Sequence, residues 1–157
     1  MTEETSSSLG TAGALVSSET AVPPSAKSAG GFSWGTGRRK TAVARVRVRE
    51  GRGLFLVNGK EMPVFFCNAQ DQLQVMAPLK SAQSEGKLDI YARVSGGGPT
   101  GQAGAVRMGL ARALCAVDSN LEPAMREGSH LTRDSRMKER KKYGQRGARR
   151  RFQFSKR

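Results

Sequence analysis

The sequence predicts a small α/β (α+β) protein, in which a sheet carries helices on one face and a long extended basic tail follows. Three observations lead to this fold class. Residues 42–49 alternate strictly between apolar and mostly basic side chains, which is the period of a strand. Residues 99–117 repeat apolar side chains at three- and four-residue spacing, which is the period of an amphipathic helix. Residues 126–157 are too cationic to fold alone, so the folded body is expected to end near residue 128.

Residues 1–33 are predicted to form a disordered N-terminal extension. The segment is rich in Ser, Thr, Ala and Gly and carries three Glu and one Lys. This composition offers too little apolar surface to offset the entropy of ordering the chain, although a docking arm is the alternative interpretation. The α/β body is then expected to span residues 34–128, with order beginning near residues 32–34, and the tail to span residues 129–157.

The first predicted strand begins near Arg38 and has one apolar and one basic face. Residues 50–53 then form a turn, and residues 54–57 form a second strand that pairs back on the first. Asn58 and Gly59 end this second strand, because both residue types tolerate positive φ. The two faces of the first strand consist of Ala42, Ala44, Val46 and Val48 on one side and Val43, Arg45, Arg47 and Arg49 on the other.

The middle of the chain is predicted to contain a helix between shorter elements. Residues 63–66 open a short helical turn, and Asn68 caps a helix that Pro78 limits. Residues 79–82 are assigned to a short edge strand, and the alternating residues 88–95 to a further strand. The apolar side of the helix consists of Leu73, Met76 and Ala77.

A long amphipathic helix is predicted at residues 99–117, after a glycine-rich loop. It combines an apolar stripe with small residues that permit the close approach of another backbone. A short final helix is predicted at residues 121–127. The stripe consists of Ala103, Val106, Leu110, Leu114 and Val117, and the small positions are Gly101, Gly104, Ala105, Gly109 and Ala113.

The charge balance favours a polyanionic partner. The chain has 27 Lys and Arg against 13 Asp and Glu, a net charge of +14, and such an excess indicates nucleic acid or an anionic membrane surface. No apolar run approaches the roughly 20 residues needed to span a membrane, so no membrane partner is expected. The acidic, Ser/Thr-rich start fits neither a secretory signal nor a transit peptide, which favours a cytoplasmic protein.

Catalysis and metal binding find little support in the sequence. His130 is the single histidine, and with no nucleophile or carboxylate constellation around it we interpret it as a surface histidine or a phosphate donor. Cys67 and Cys115 stand alone in their segments, which indicates two reduced and mostly buried thiols. No enzymatic activity, metal or cofactor is therefore expected.

The loop at residues 96–101 contains the pattern G-x-G-x-x-G, follows a predicted strand and opens a predicted helix. This spacing imitates a dinucleotide fingerprint, with Asp118 about twenty residues further on. The apolar pattern stops at Val117, so no second parallel strand follows, and a small nucleotide-dependent enzyme is the less favoured alternative. A helix N-terminus still offers free backbone N–H groups to a phosphate.

Two cationic segments are predicted to bind RNA. No acidic residue occurs from Arg38 to Arg49, and a basic stripe on a rigid element can fix the register of phosphates. The segment from residue 126 onward holds thirteen Lys or Arg against three acids, and a large polyanion could offset the entropy of ordering it. Its aromatic residues could stack on unpaired bases, which folded RNA offers and duplex DNA does not, although an architectural DNA-binding protein is an alternative. These residues are Tyr143, Phe152 and Phe154.

Residues 94–107, with the sequence VSGGGPTGQAGAVR, closely resemble the glycine-rich signature of the small ribosomal subunit protein nine family. Residues 37–46, GRRKTAVARV, resemble the opening strand of that family. Residues 131–144 and 153–157 are similar to the tail of its bacterial form. Three separated motifs in the family's order argue against chance agreement, and the resemblance covers about residues 34–157.

The resemblance implies a four-stranded mixed sheet with a left-handed β-α-β crossover, seated on rRNA in the head of the small subunit among neighbouring ribosomal proteins. It also implies that the tail reaches the peptidyl site, where Ser155, Lys156 and Arg157 approach tRNA. An architectural nucleic-acid-binding protein outside the ribosome is the alternative. The basic stripe, the glycine loop and the resemblance together place these residues at rRNA: Arg38, Arg39, Lys40, Arg45, Arg47, Gly97, Gly98, Thr100, Gln102, Arg107, Arg133, Arg136, Arg140, Lys141, Lys142, Tyr143, Arg149 and Arg150.

Overall fold

The computed structural model describes residues 31–155, in which five strands form one mixed sheet with helices packed on one of its faces. The strands are β1 Ser33–Arg39, β2 Ala42–Glu50, β3 Phe55–Val57, β4 Lys60–Glu61 and β5 Leu88–Ser95. The helices are α1 Met62–Phe65, α2 Ala69–Ser81, α3 Pro99–Val117 and α4 Glu122–Glu127, with a 3-10 turn at Ser119–Leu121. The predicted α+β class is confirmed, with five strands where the family resemblance implies four.

The strands lie in the order β1-β2-β5-β3-β4. β2 pairs antiparallel with both β1 and β5, while β3 pairs parallel with β5 and antiparallel with β4. The prediction that residues 54–57 pair back on the first strand is therefore wrong, because β5 lies between β2 and β3. Alternation within one strand identifies that strand but carries no information about its neighbours.

The single strand predicted from Arg38 is instead two strands joined by a tight turn. β1 ends at Arg39, Lys40 takes a φ of 52°, and β2 begins at Ala42. The sequence of β1 lacks the apolar alternation of β2, since its two buried positions are glycines. Sequence periodicity could not reveal this strand for that reason.

The two buried glycines of β1 let the strand lie directly against α3. A Cβ on Gly35 would overlap with the carbonyl oxygen of Gly109, and a Cβ on Gly37 would overlap with that of Ala105. The prediction that small residues along this helix permit the close approach of another backbone is therefore confirmed. At these two positions the backbone of β1 is in direct contact with the backbone of α3.

α2 continues through Pro78 to Ser81, so the edge strand predicted at residues 79–82 is wrong. Pro78 and Leu79 are buried, and their burial offsets the backbone hydrogen bond that a proline cannot donate. The cap predicted at Asn68 is confirmed, because its side chain accepts a hydrogen bond from the first turn of the helix at 3.1 Å. The buried side of α2 consists of Asp71, Val75, Pro78 and Leu79, whereas Leu73 is 60% exposed.

The remaining elements lie where the sequence predicts them. α1, α3, α4 and β5 match their predicted positions to within one residue at either end. Asn58 and Gly59 have φ values of 50° and 82° and form the turn between β3 and β4. In the described part of the chain, no helix is long and apolar enough to cross a membrane.

The hydrophobic core lies between the sheet and α3. Cys115 is half-buried and packs against this core, whereas Cys67 is exposed, so the prediction of a buried Cys67 is wrong. β2 and α3 contribute Ala42, Ala44, Val46, Val48, Ala103, Val106, Leu110 and Leu114.

Candidate nucleic-acid interface

The face of the sheet that points away from the helices carries a row of exposed arginines. Because side chains alternate along a strand, the arginines of β2 point away from its buried alanines and valines. The register places side chains of β1 and β5 beside them. We call this surface the arginine face, and its members are Phe32, Trp34, Arg38, Arg45, Arg47, Arg49, Tyr91 and Arg93.

Aromatic rings hold the guanidinium groups of the arginine face in place. Arg45 lies 5.4 Å from the ring centroid of Trp34. Arg47 lies 5.0 Å from the centroid of Tyr91 and 5.1 Å from that of Phe32. A cation over an aromatic ring is attracted by the ring quadrupole, so these positive charges are presented to solvent in defined positions.

Arg49 is the one member of the arginine face, within residues 31–155, whose charge is paired. Its guanidinium donates to the carboxylate of Asp89 at 3.2 Å. That carboxylate also accepts the backbone N–H groups of Leu54 and Arg52, at 3.2 and 2.9 Å. These two backbone hydrogen bonds, followed by Arg49, hold the pKa of Asp89 below its ordinary value.

The three basic residues before β2, Arg38, Arg39 and Lys40, do not lie on one face of the sheet. Arg38 pairs in register with Val43, so it belongs to the arginine face. The side chain of Arg39 lies instead on the helical side, against Gly104 of α3. Lys40 is exposed in the turn between β1 and β2. The structure thus brings Arg38, Arg45 and Arg47 together and separates Arg39 from them.

The glycine loop is a tight turn that packs on the start of β2. Gly96 and Gly97 have φ values of 72° and 66°, which are costly for any residue with a side chain. A Cβ on Gly97 would lie 3.0 Å from that of Ala42. The side chain of Gln102 closes the loop by donating to the carbonyl of Gly96 at 3.1 Å. The next residue, Gly98, faces open space.

The first turn of α3 is exposed on the side of this loop. Its first N–H groups have no helical acceptor, because a helix begins with unpaired donors. Gly98 and Thr100 are both exposed, so the backbone there can be approached from solvent. The Thr100 hydroxyl is directed inward and donates to the buried Asp71 at 3.5 Å. The side chain of Gln102 therefore holds the loop, whereas that of Thr100 joins α3 to α2.

The carboxylate of Asp134 helps to join the base of the tail to the body. Asp134 accepts from Arg39 at 3.1 Å and from Arg136 at 3.0 Å. Hydrogen bonds from Arg136 lower the pKa of Asp134 well below its usual range. Arg107 of α3 also lies near this pair. Burial first, and then the charge of Arg39, lower the pKa of Arg107.

His130 is buried rather than on the surface, so the prediction of a surface histidine is wrong. It is 6% exposed, and its Nε2 lies 3.0 Å from the hydroxyl of Ser81. Burial, together with the charge of Arg107, lowers the pKa of His130. The residue therefore anchors the start of the tail against α2 as a neutral side chain. Its sequence context of small and polar residues gave no signal of burial.

The tail beyond this anchor contains no helix or strand in residues 131–155. Lys142 and Arg149 pair with Glu139 at 2.8 and 2.9 Å, and Tyr143 and Phe154 are almost completely exposed. Lys156 and Arg157, predicted at tRNA, lie outside the described residues. The predicted contact residues of the tail that the structure describes are all exposed: Arg133, Arg136, Arg140, Lys141, Lys142, Tyr143, Arg149, Arg150 and Ser155.

An open arginine face joined to an exposed cationic tail is typical of proteins that bind nucleic acids, since such charges attract phosphates. Among residues 31–155, no group of three or more His, Cys, Asp or Glu is placed to hold a metal ion. The motif that imitates a dinucleotide site is the tight turn described above, and no second half of a doubly wound sheet follows α3 in residues 118–155.

Comparison with known proteins identifies the family to which the chain belongs. Residues 37–157 match the family model described as ribosomal protein S9/S16. The chain belongs to this family, whose members are structural, non-enzymatic components of the ribosome, and the predicted resemblance is confirmed.

Several curated relatives carry the name small ribosomal subunit protein uS9. The protein from Rhodopirellula baltica is 61% identical over 127 residues, covering 81% of this chain and 93% of its own length. The protein from Treponema pallidum is 54% identical over 123 residues, covering 78% and 95%. The protein from Solidesulfovibrio magneticus is 52% identical over 126 residues, covering 80% and 97%. The match to the family model begins at residue 37 and so leaves out residues 1–33, for which no function was predicted.

Proposed function

We propose that this protein is a structural constituent of the small ribosomal subunit that binds rRNA in the head and contacts peptidyl-site tRNA with the end of its tail. One observation carries the proposal beyond family membership. Arg45, Arg47 and Arg93 stand exposed on a rigid sheet, and none of them has an ion-pair partner within residues 31–155. Such charges are available to phosphates, and the protein then works on the cytoplasmic ribosome beside its neighbouring ribosomal proteins.

The body supplies the anchor in this proposal. Arg38, Arg45 and Arg47 set the register of an rRNA backbone on the arginine face. The glycine loop offers a second approach, because Gly97 and Gly98 expose their backbone next to the first turn of α3. Gln102 holds that loop in shape, and Thr100 joins the start of α3 to α2. At the base of the tail, Arg39, Lys40 and Arg107 supply further positive charge.

The tail extends the contact along the RNA. Its cations neutralise successive phosphates, and the exposed ring of Tyr143 stacks on an unpaired base. The end of the tail, Ser155, Lys156 and Arg157, contacts the tRNA in this proposal. The rRNA contacts of the tail are Arg133, Arg136, Arg140, Lys141, Lys142, Arg149 and Arg150.

A binding comparison tests the rRNA part of the proposal. Purified chain is titrated into a labelled, folded transcript of the small-subunit head and into duplex DNA of equal length, at the same salt concentration. We expect clear preference for the transcript, because folded RNA provides unpaired bases and an irregular backbone. Equal affinity for the two would favour an architectural protein outside the ribosome instead.

A truncation tests the tRNA part. Subunits are reconstituted with chain lacking residues 155–157 and with chain lacking residues 1–30, which serves as the control because β1 begins only at Ser33. We expect normal incorporation of both, and about fivefold weaker tRNA retention in the peptidyl site for the first alone, the effect of roughly 1 kcal/mol. Failure of the first chain to incorporate would mean that these residues anchor the protein rather than contact tRNA.

A further inference from the structure

Two arginines lie directly opposite each other on the arginine face. Arg45 of β2 pairs in register with Arg93 of β5. Side chains at directly opposed positions of an antiparallel pair are close neighbours, and like charges there destabilise the sheet. Both residues are exposed, and no ion pair within residues 31–155 compensates either one. An anion bound between the two guanidinium groups would turn this repulsion into attraction.

Aromatic side chains occupy the adjoining row of the same face. The register aligns Trp34 with Arg47, and Arg47 with Tyr91. The indole of Trp34 is 46% exposed, whereas tryptophan side chains are on average largely buried in folded proteins. The exposed ring of Trp34 and the half-buried ring of Tyr91 lie on an open sheet, where rings can stack on unpaired bases, and each stacked base typically contributes 5-fold or more to affinity, about 1–3 kcal/mol.

The arginine and aromatic rows line one shallow groove of about 800 Å³. Its lining includes Arg45, Arg47, Arg93, Trp34 and Tyr91, and none of its lining residues is acidic. The groove crosses β1, β2 and β5 and is open to solvent along the sheet. A linear polyanion with flat groups between its charges matches this arrangement of cations and rings.

We propose that the arginine face binds an unpaired segment of RNA, with a phosphate between Arg45 and Arg93 and bases stacked on Trp34 and Tyr91. The proposal rests on the proposed function and names the kind of RNA that this surface recognises. A regular RNA duplex does not fit, because its bases are stacked within the helix and cannot reach the rings.

The only tryptophan of the chain, Trp34, reports directly on this site. Two RNAs of the same composition are titrated into the full chain at equal salt concentration: a twelve-nucleotide single strand and a blunt duplex. Anisotropy of an end label on the RNA measures binding anywhere on the protein, and tryptophan fluorescence measures stacking at the groove. We expect quenching at the same concentration as the anisotropy change with the single strand, and an anisotropy change without quenching with the duplex.

A pair of variants separates the site from general charge. Arg93→Gln removes one charge from the groove, and Lys80→Gln removes one from the exposed side of α2. We expect the quenching midpoint for the single strand to rise about tenfold with Arg93→Gln, the usual effect of losing a charged hydrogen bond. Lys80→Gln should change it less than about twofold. Thermal unfolding of both variants confirms that they are folded.

Three results would overturn the proposal. These are equal quenching by the duplex, single-strand binding without quenching, and equal effects of the two substitutions. In each of these cases RNA still binds, so the proposed function stands while the groove assignment fails. If neither RNA changes the anisotropy, the proposed function fails and the groove assignment with it.

Discussion

At the scale of single residues, Asp89 organises the turn that follows β2. One buried carboxylate accepts two backbone N–H groups and one guanidinium. Gly51 must lack a side chain, because a Cβ there would overlap with this carboxylate. The turn at residues 51–54 is therefore shaped around a charge contributed by β5, which local sequence patterns could not reveal.

Replacing this carboxylate should weaken the fold in a pH-dependent way. Asp89→Asn keeps the size of the side chain but loses the charge and one acceptor oxygen, so the unfolding temperature at pH 7 should fall by several degrees. The folded-state pKa lies below the ordinary value of 3.8. The stabilisation is therefore present above that value and is lost as pH falls through the folded-state pKa.

Thermal unfolding followed by circular dichroism from pH 7 to pH 2 measures this effect. The difference between Asp89→Asn and the natural chain should shrink as the solution is acidified below about pH 4. Glu85→Gln, which removes an exposed carboxylate, is the control and should change little at any pH. A difference that stays constant across the whole range would contradict the assigned role.

At the scale of elements, the contact between β1 and α3 depends on glycine. Gly37→Ala should destabilise the protein by about 3 kcal/mol or more, because the added methyl would overlap with rigid backbone rather than with a movable side chain. Gly98→Ala is the matched control, since its Cβ meets nothing within 4 Å and its φ of −105° suits alanine. Urea unfolding of both variants compares them, and similar midpoints would contradict the close packing.

Removing one of the two opposed arginines, Arg45 of β2 or Arg93 of β5, is expected to stabilise the fold. Arg93→Gln should raise the unfolding temperature by a few degrees, because it removes a like-charge pair from the middle of the sheet. The gain should be largest at low salt and should vanish near 1 M salt, where such charges are screened. Melting curves at several salt concentrations measure it. A lower unfolding temperature at low salt would show that the repulsion is compensated.

The strands and helices with a strong internal period could be predicted from the sequence, and those that depend on a neighbour could not. The alternation of β2 and β5 and the stripe of α3 identified these elements. β1 was not predicted because its buried positions, Gly35 and Gly37, give it no apolar alternation. The end of α2 was predicted too early, because the burial of Pro78 outweighs the backbone hydrogen bond that this residue cannot donate.

The same distinction holds for the candidate site. The arginines of β2 were predicted, because their alternation with valine is visible within a single segment. The contribution of Trp34, Tyr91 and Arg93 was not, because it depends on which strands are neighbours and in which register. Arg38 and Arg39 lie on opposite faces because side chains alternate along β1, and this division was missed because β1 itself was not predicted.

At the scale of the whole molecule, the tail should control the salt dependence of RNA binding. A chain ending at Asp134 keeps His130 and the ion pair with Arg39 but loses eleven Lys and Arg. Each neutralised phosphate adds about 0.7–0.9 to the slope of log affinity against log salt concentration. The slope for folded rRNA should therefore fall by several units in the shortened chain.

RNA titrations at salt concentrations from about 50 to 500 mM measure this slope for the full chain and for the shortened chain. The unfolding temperature of the shortened chain should stay close to that of the full chain, because the removed segment has no helix or strand in residues 135–155. Equal slopes would mean that the tail does not lie along phosphates.

The ion pair between Arg39 and Asp134 has a consequence for how the two parts of the protein reach their target. It ties the root of the tail to the end of β1, a few residues from the arginine face. In the proposed function, binding of the sheet to RNA confines the cations beyond Arg136 near the same target, at a local concentration on the order of millimolar. We therefore expect weak individual contacts along the tail to become effective by tethering, from the body outward.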